Sequence, residues 1–174
     1  MLRRAIWISA LGAMALWSSG CSRHMEVRLI ETTAYDKGKE SCGWKRGFPD
    51  FWNKYWASGP LKGRPYSGKT ASGTWPRQYY PGLLSADSLK HPFRIPFRLI
   101  FPWRWLPHDG TIAADTRYYP FGTEMYVEGY GWGVVEDRGS AIQGPERIDL
   151  YHKSHRQALR WGRRKIDVVI YFDD

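Results

Sequence analysis

The sequence predicts a mainly β fold, a small barrel built from short strands with one short helix. From Thr111 onward, short segments rich in β-branched and aromatic residues alternate with glycine-containing turns, which is typical of small barrels. One segment near the end of the chain, 155–161, has the pattern of a short helix, and an apolar run follows it. The chain has 174 residues, which suits one domain, and no internal repeat is visible.

The predicted elements follow in order along the chain. The first strand is predicted over 27–35, where β-branched residues partly alternate with polar ones. Further strands are predicted over 111–115 (TIAAD), 124–129 (EMYVEG), 132–137 (WGVVED) and 147–151 (RIDLY). Ser154 is the expected N-cap of the helix over 155–161, and Gly162 is expected at its C′ position. The last strand, over 165–172, is apolar enough to be buried.

Two long stretches, 36–68 and 75–109, show no clear hydrophobic period. Both are rich in aromatic residues, glycine and proline. Excursions of this length inside a compact domain are usually functional, for example as lids or binding loops, so we expect aromatic-rich loop insertions around the barrel. Some of their tryptophans are candidates for stacking on sugar rings, and packing into a second core is the simpler alternative for each of them: Trp44, Trp52, Trp75 and Trp103.

The N-terminal segment 1–20 has the layout of a secretory signal peptide. Two arginines precede a mostly apolar stretch, 5–17, which is too short to span a membrane comfortably, and small residues follow it. The next residue, Cys21, stands where a bacterial lipoprotein is processed and lipidated, although Ser18 replaces the Leu that this pattern prefers. We therefore predict an exported lipoprotein of the cell envelope, in the periplasm or at the outer membrane.

These signals divide the chain into a signal peptide over 1–20, an anchor and linker over 21–26, and one domain over 27–174. An ordinary cleaved signal with an accidental cysteine is the alternative. It would leave Cys21 available for a disulfide bond with Cys42. Two cysteines cannot form a multi-disulfide scaffold or a four-cysteine zinc site.

The chain is basic, with 26 Lys and Arg against 17 Asp and Glu and a formal net charge of +9. A positive surface attracts an anionic cell wall, a membrane surface or a nucleic acid. Export from the cytoplasm argues against the nucleic acid. We therefore expect partners in the cell envelope, and nothing in the sequence indicates an oligomeric state.

The most informative set of residues is three aspartates: Asp115, Asp137 and Asp149. Two of them lie at or near predicted strand ends beside glycine turns, where a barrel presents side chains to a cleft. Strand alternation turns Asp149 away from its two apolar neighbours, on the face that Arg147 and Tyr151 share. Turn formation or ion pairing with Arg138 and Arg147 is the simpler reading of these aspartates, and spacing alone favours it.

A series of segments, in order, resembles the three-aspartate (3D) domain: TAYD, KTASG, TIAAD, YPFGTEMYV, GYGWGVVEDRGSAIQG, RIDLY and SHRQALRWG. That family is the double-psi β-barrel domain shared with membrane-bound lytic murein transglycosylase A. The resemblance extends over about 31–172 and is densest over 111–172. It implies a six-stranded double-psi β-barrel with long insertions.

The resemblance also implies an activity, cleavage of the β-1,4 bond between N-acetylmuramic acid and N-acetylglucosamine in peptidoglycan glycan strands. The product of such a lytic transglycosylase carries a 1,6-anhydro ring, no water is consumed, and no metal ion or organic cofactor is needed. Two alternatives stay open, because a fold does not determine a function. One is a non-catalytic module that binds peptidoglycan or another polysaccharide. The other is a polysaccharide hydrolase in which Asp137 acts as the base.

Site residues follow from the same resemblance. Asp149 corresponds to the catalytic acid, and Asp137 and Asp115 correspond to supporting carboxylates. Thr70 corresponds to a threonine that often lies in the substrate cleft. Further residues are expected to bind substrate: Tyr151, Gln143 and Arg147.

The sequence departs from the family pattern at three places. Gln143 stands where the family commonly has Lys, and the loop before Asp149 carries Pro145 and Glu146 and is one residue longer than usual. The stretches 44–67 and 75–109 are longer than in the minimal domain. These departures are expected to alter the cleft and the substrate subsites.

One carboxyl group is sufficient for the implied reaction. It protonates the glycosidic oxygen as an acid, and as a carboxylate it then accepts the proton of the sugar's own 6-hydroxyl, whose attack is intramolecular and therefore favoured. Such an acid must hold its proton near neutral pH, whereas a free Asp has a pKa of about 3.9. Negative charge from Asp137 and Asp115, together with partial burial, is expected to raise the pKa of Asp149.

Overall fold

The computed structural model describes residues 24–83, 88, 90–100 and 105–172. Within these ranges the strands are β1 His24–Tyr35, β2 Trp44–Arg46, β3 Lys54–Trp56, β4 Gly110–Ala113, β5 Glu124–Val127, β6 Gly131–Asp137, β7 Arg147–Tyr151 and β8 Arg164–Phe172. The helices are α1 Lys39–Cys42, α2 Ile95–Ile100 and α3 His155–Trp161, and a 3₁₀ turn covers Pro92–Arg94.

Six of these strands close into a barrel in the order β1-β7-β4-β6-β5-β8. The β1–β7 and β4–β6 pairs are parallel, and the other neighbours in the barrel are antiparallel. The short strands β2 and β3 form a separate antiparallel pair. The predicted fold class, a mainly β chain with a six-stranded barrel and a short helix beside it, is confirmed.

Apolar side chains that point inward along each strand fill the barrel interior, and outward side chains alternate with them. Every barrel strand contributes to this core: Ile30, Ile112, Met125, Val127, Val135, Ile148, Leu150, Val168 and Ile170. Each such side chain gains about 1.5–3 kcal/mol by leaving water. Asp149 lies between two of these core residues on β7 and is only partly buried, so it points outward as the alternation predicts.

The first strand is longer than predicted, because β1 begins at His24 and not at residue 27. Residues 24–26 pair with 170–172 at the end of β8, so they belong to the barrel. Residues 24–26, predicted as part of the linker, therefore form part of β1, and the division of the chain into signal peptide, linker and domain stays a prediction.

The alternative of a disulfide bond between the two cysteines involves Cys21, which lies outside the described residues, so it stays a prediction. Cys42 ends the helix α1, where its thiol donates to the carbonyl oxygen of Asp36 at 3.0 Å.

Several predictions fall outside the described residues: the signal peptide over 1–20, lipidation of Cys21 and the stacking role of Trp103. They stay predictions. Within the described ranges, no helix is both long enough and apolar enough to cross a membrane.

The predicted helix is present as α3, with the predicted bounds. Ser154 occupies the N-cap position, but its hydroxyl makes no capping hydrogen bond. Gly162 ends the helix with a φ of 66°, a left-handed backbone angle that glycine tolerates best. Trp161 fixes the helix to the barrel by donating its indole N–H to the Thr32 hydroxyl at 3.2 Å.

The first insertion, predicted as a long ordered loop over 36–68, contains regular secondary structure, because β2 and β3 form a hairpin within it. Trp44 pairs with Trp56 across the hairpin. The ring of Tyr66 packs against both indoles, with centroid distances of 6.3 Å and 4.9 Å. Trp44 therefore belongs to a small aromatic cluster, which is the simpler of the two roles considered for it. The two strands are three residues long, too short for a recognisable alternation.

Candidate active site

An ordered row of side-chain pairs lies on the outer face of the barrel, where β1 runs parallel to β7. Three pairs stand opposite each other in register, and we call them the ladder: Glu31 with Arg147, Thr33 with Asp149, and Tyr35 with Tyr151. The first is an ion pair at 2.7 Å, the second a hydrogen bond from the hydroxyl to the carboxylate at 3.0 Å, and the third a ring contact at 5.5 Å. The ladder forms because outward positions on both strands alternate with core positions.

Asp149 is the partly buried carboxyl group in the middle of the ladder. Burial, and to a smaller extent the negative charge of Asp137, raises the pKa of Asp149 to about 6. The Thr33 hydroxyl and the N–H of Leu150 donate to the carboxylate and act in the opposite direction. Among the described residues, no lysine or arginine lowers this pKa. A carboxyl group in this state can both donate and accept a proton near pH 6.

Asp137, at the end of β6, is held by uncharged donors. Its Oδ1 accepts the backbone N–H groups of Ala71 and Arg138, each at 2.9 Å, and its Oδ2 accepts the hydroxyl of Tyr35 at 3.1 Å. Within the described ranges these three hydrogen bonds fix the carboxylate, and no lysine or arginine there forms an ion pair with it. The charge of Asp137 therefore remains available to act on its surroundings.

One strand separates Asp137 from Asp149. Ala113 of β4 pairs with Asp137 on one side and with Asp149 on the other. At the usual strand spacing, the Cα atoms of the two aspartates lie about 10 Å apart. The fold thus brings together two of the three aspartates singled out in the sequence.

Asp115 differs from the expectation. Its carboxylate accepts the Arg117 guanidinium at 3.0 Å and 2.6 Å, and also the backbone N–H groups of Arg117 and Gly144. Arg117 holds the pKa of Asp115 well below its ordinary value. The expectation that Asp115 helps to raise the pKa of Asp149 is therefore wrong, because a cation compensates its charge. Asp115 instead connects the end of β4 to the loop between β6 and β7.

Thr70 lies next to the site, with its hydroxyl inside the turn 70–74. The hydroxyl accepts the N–H of Thr74 at 3.1 Å and lies 2.8 Å from the Thr74 hydroxyl. The next residue, Ala71, donates its N–H to Asp137 and so joins the turn to the site. Thr70 is buried. It shapes the turn that fixes Asp137, and its contact with substrate stays a prediction.

A groove of about 620 Å³ opens beside the first pair of the ladder. Its lining includes Leu29, Glu31, Ser140, Gln143, Arg147 and Lys165. Two predicted substrate-binding residues, Gln143 and Arg147, therefore come together there, and Arg147 lies two residues before Asp149 on the same face of β7. The volume falls in the range of small-ligand pockets, about 300–1,000 Å³.

The third pair of the ladder is covered. Tyr151 is 3% exposed, and the ring of Tyr35 packs edge-on against it. Burial places Tyr151 beneath the site surface, so its role as a substrate contact stays a prediction.

Comparison with known families matches a little over a third of the chain. Residues 110–172 match the family described as the 3D domain. The match begins at β4, ends with β8 and includes all three aspartates, whereas β1 and the turn 70–74 precede it. The barrel is therefore completed by β1, a strand from outside the matched region.

Two proteins of Bacillus subtilis (strain 168) are similar to part of the chain. One is named as the cell wall shaping protein YabE and the other as the cell wall-binding protein YocH. Each is 38% identical over 64 residues, which is 37% of this chain. The aligned region covers 16% of the first protein and 22% of the second, a small part of their length.

A solved structure is also similar, the crystal structure of MltA from E. coli. It is 18% identical and aligns with 64% of this chain and 30% of that chain, with a TM-score of 0.35.

Three residues of the site were not predicted from the sequence. Thr33 bonds to Asp149, Tyr35 bonds to Asp137, and the backbone N–H of Ala71 also bonds to Asp137. The first two lie in the predicted first strand at alternate positions, as do the outward residues of β7. This alternation indicates that Thr33 and Tyr35 point outward. It does not indicate that β1 is the strand beside β7, so it could not place them next to the aspartates.

Asp115→Asn is expected to lower the stability of the barrel. An amide cannot accept the two guanidinium bonds and the Gly144 bond as a carboxylate does, so the loop before β7 loses an attachment. Thermal unfolding followed by circular dichroism measures the loss. Because Arg117 depresses the pKa of Asp115 in the folded state, the difference between wild type and variant should shrink as the pH falls below about 4. Equal melting temperatures at neutral pH would contradict this structural role.

Proposed function

We propose that the 3D domain is a lytic transglycosylase that cleaves the bond between N-acetylmuramic acid and N-acetylglucosamine in peptidoglycan. The observation that carries the proposal is the state of Asp149, a partly buried carboxyl group with a pKa raised to about 6. The similarity to proteins named for cell wall shaping and cell wall binding supports a wall polymer as the target.

Asp149 would act first as an acid and then as a base. Its proton passes to the glycosidic oxygen, the bond from that oxygen to the anomeric carbon breaks, and the sugar becomes oxocarbenium-like. The resulting carboxylate accepts the proton of the 6-hydroxyl as that oxygen bonds to the anomeric carbon. The proton count is balanced and the 1,6-anhydro ring closes without water. The attack is intramolecular, which replaces the water nucleophile of a hydrolase.

Asp137 would support this cycle through its charge. It is fixed by three uncharged donors, and its negative charge favours the protonated form of Asp149. The same charge would stabilise the positive centre that develops on the sugar. Asp115 has no part in this step, because Arg117 compensates its charge.

The groove beside the first ladder pair would hold the glycan on one side of the cleaved bond. Gln143 and Arg147 line it and supply hydrogen-bond donors for hydroxyl and acetamido groups. Arg147, which lines the groove, lies two residues before Asp149 on the same face of β7. A glycan strand bound in the groove and running along β7 would therefore bring a glycosidic oxygen to the carboxyl group. Because the groove lies on the outer face of the barrel, a bound glycan strand would continue past the protein at either end.

The location that suits this function is the cell envelope. Export by the segment 1–20 and lipidation of Cys21 are part of the proposal, since peptidoglycan lies outside the cytoplasm. The cell wall proteins similar to the 3D domain support the same compartment.

The test is digestion of purified sacculi by the protein, followed by mass spectrometry of the soluble products. A lytic transglycosylase releases muropeptides that end in 1,6-anhydro-N-acetylmuramic acid. Products with reducing ends would instead identify a hydrolase. Retention on sacculi with no soluble product would identify a binding module, the alternative that the name of YocH favours.

A further inference from the structure

The β2–β3 hairpin presents three large apolar side chains to solvent. Phe48, Phe51 and Trp52, in the loop between the strands, are 87%, 55% and 93% exposed. We call the loop 47–53 the hairpin tip. Single exposed apolar residues are ordinary on protein surfaces, but three within five positions form a patch that calls for a partner.

The hairpin tip is held in shape by its own hydrogen bonds. Gly47 donates its N–H to the carbonyl oxygen of Asn53 at 3.0 Å, and Arg46 donates to the carbonyl oxygen of Phe51 at 3.3 Å. Below the tip, Lys54 lies 4.1 Å from the centroid of the Trp44 ring, which belongs to the aromatic cluster. The hairpin tip is therefore a structured loop, and its apolar side chains point into solvent and do not pack onto the barrel.

The surroundings of the hairpin tip are strongly basic. The segment 37–69 contains eight of the chain's 26 Lys and Arg residues and two of its 17 Asp and Glu residues. Lys45, Arg46 and Lys54 flank the tip and are exposed. The one acid in the tip, Asp50, bonds within the loop to the side chain of Asn53 and the N–H of Trp52. An anionic partner is therefore favoured.

We propose that the hairpin tip docks on an anionic lipid membrane, with its apolar side chains inserted at the level of the headgroups. Phenylalanine and tryptophan are suited to that boundary, and flanking lysine and arginine side chains reach the lipid phosphates. Charge and apolar exposure thus point to one kind of surface, a bilayer that contains anionic lipid.

A polysaccharide fits the same patch less well. Phe48 and Phe51 pack edge to face at 5.6 Å, so they do not offer two parallel faces to consecutive sugar rings. The polar side chains of the tip, Asp50 and Asn53, bond to each other and are not free to receive sugar hydroxyls. Sugar recognition usually needs a flat aromatic face beside free polar groups.

The test measures binding to vesicles of phosphatidylcholine, alone or mixed with phosphatidylglycerol, by cosedimentation. The protein used begins at residue 21 and carries Cys21→Ser, so that it keeps every described strand and has no lipid at Cys21. We expect binding to the anionic vesicles that weakens with salt. The double variant Phe48→Ser/Trp52→Ser should bind about tenfold more weakly or worse, whereas Leu159→Ser, an exposed apolar residue on α3, should bind like the wild type.

A local readout separates the hairpin tip from other membrane contacts. Brominated lipids quench tryptophans that enter the bilayer, so quenching should fall when Trp52→Phe is introduced and should not change with Trp75→Phe, a second exposed indole. Equal vesicle binding by wild type and double variant would overturn the proposal. So would loss of sacculus binding by the double variant with vesicle binding unchanged, which would assign the tip to a polysaccharide. The proposal does not depend on the proposed enzymatic activity, since neither readout involves turnover.

Discussion

Asp149→Asn is expected to reduce the release of anhydro-muropeptides from sacculi by about 10²–10⁴-fold, the usual contribution of a general acid or base. Asparagine keeps the shape of the side chain and an oxygen that can accept the Thr33 hydroxyl, now bonded at 3.0 Å. It has no proton to give to the glycosidic oxygen at accessible pH. The fold should therefore persist while the chemical step is lost.

The matched control for this variant is Asp167→Asn. Asp167 is an exposed aspartate on β8, outside the ladder. The Asp167→Asn variant makes the same chemical change as Asp149→Asn and should leave turnover unchanged. Normal turnover by Asp149→Asn would remove the proposed role from Asp149, and an equal loss in both variants would show that the effect is not specific to the site.

The orientation of Asp149 could be predicted from the sequence because it depends on a local rule. In the segment 147–151, side chains alternate between core and surface with a period of two, and β7 has those bounds. The helix α3 was predictable for a similar reason, since its ends carry local signals at Ser154 and Gly162.

The surroundings of Asp149 could not be predicted, because they depend on contacts between distant parts of the chain. Thr33 bonds to Asp149 only because β1 is the parallel neighbour of β7, a pairing across more than a hundred residues. Tyr35 reaches Asp137 for the same reason. Alternation fixes which face a residue occupies but not which strand lies beside it.

The ionic partners of the acids were the least predictable feature. The sequence suggested Arg138 and Arg147 as possible partners of the aspartates. The structure pairs Arg147 with Glu31, and Asp115 with Arg117. The side chains of these ion pairs lie at strand ends and in loops. Several oppositely charged side chains are within reach there, and local packing determines which of them pair. An acid with no cation beside it can be recognised only once the loops are placed.

Asp149→Asn is also expected to stabilise the protein at neutral pH. Burial raises the folded-state pKa of Asp149 to about 6, whereas the unfolded-state pKa is about 3.9. Between these values the folded state holds a proton that the unfolded state has released, so the stability of the wild type falls as the pH rises from about 4 to about 6. The difference between the two pKa values lowers the free energy of unfolding of the wild type by up to about 3 kcal/mol above pH 6.

Asparagine does not ionise, so the stability of the variant does not fall in this way as the pH rises. Chemical denaturation at a series of pH values should show nearly equal free energies of unfolding near pH 4 and a growing advantage for Asp149→Asn up to about pH 7. The exposed Asp167→Asn variant is measured beside it as the control for the amide substitution itself. A parallel pH dependence in wild type and Asp149→Asn would contradict the raised pKa. The protonated carboxyl group that donates to the glycosidic oxygen is also the form that the folded state favours. Wild-type turnover should therefore decline above about pH 6, where protonated Asp149 becomes scarce.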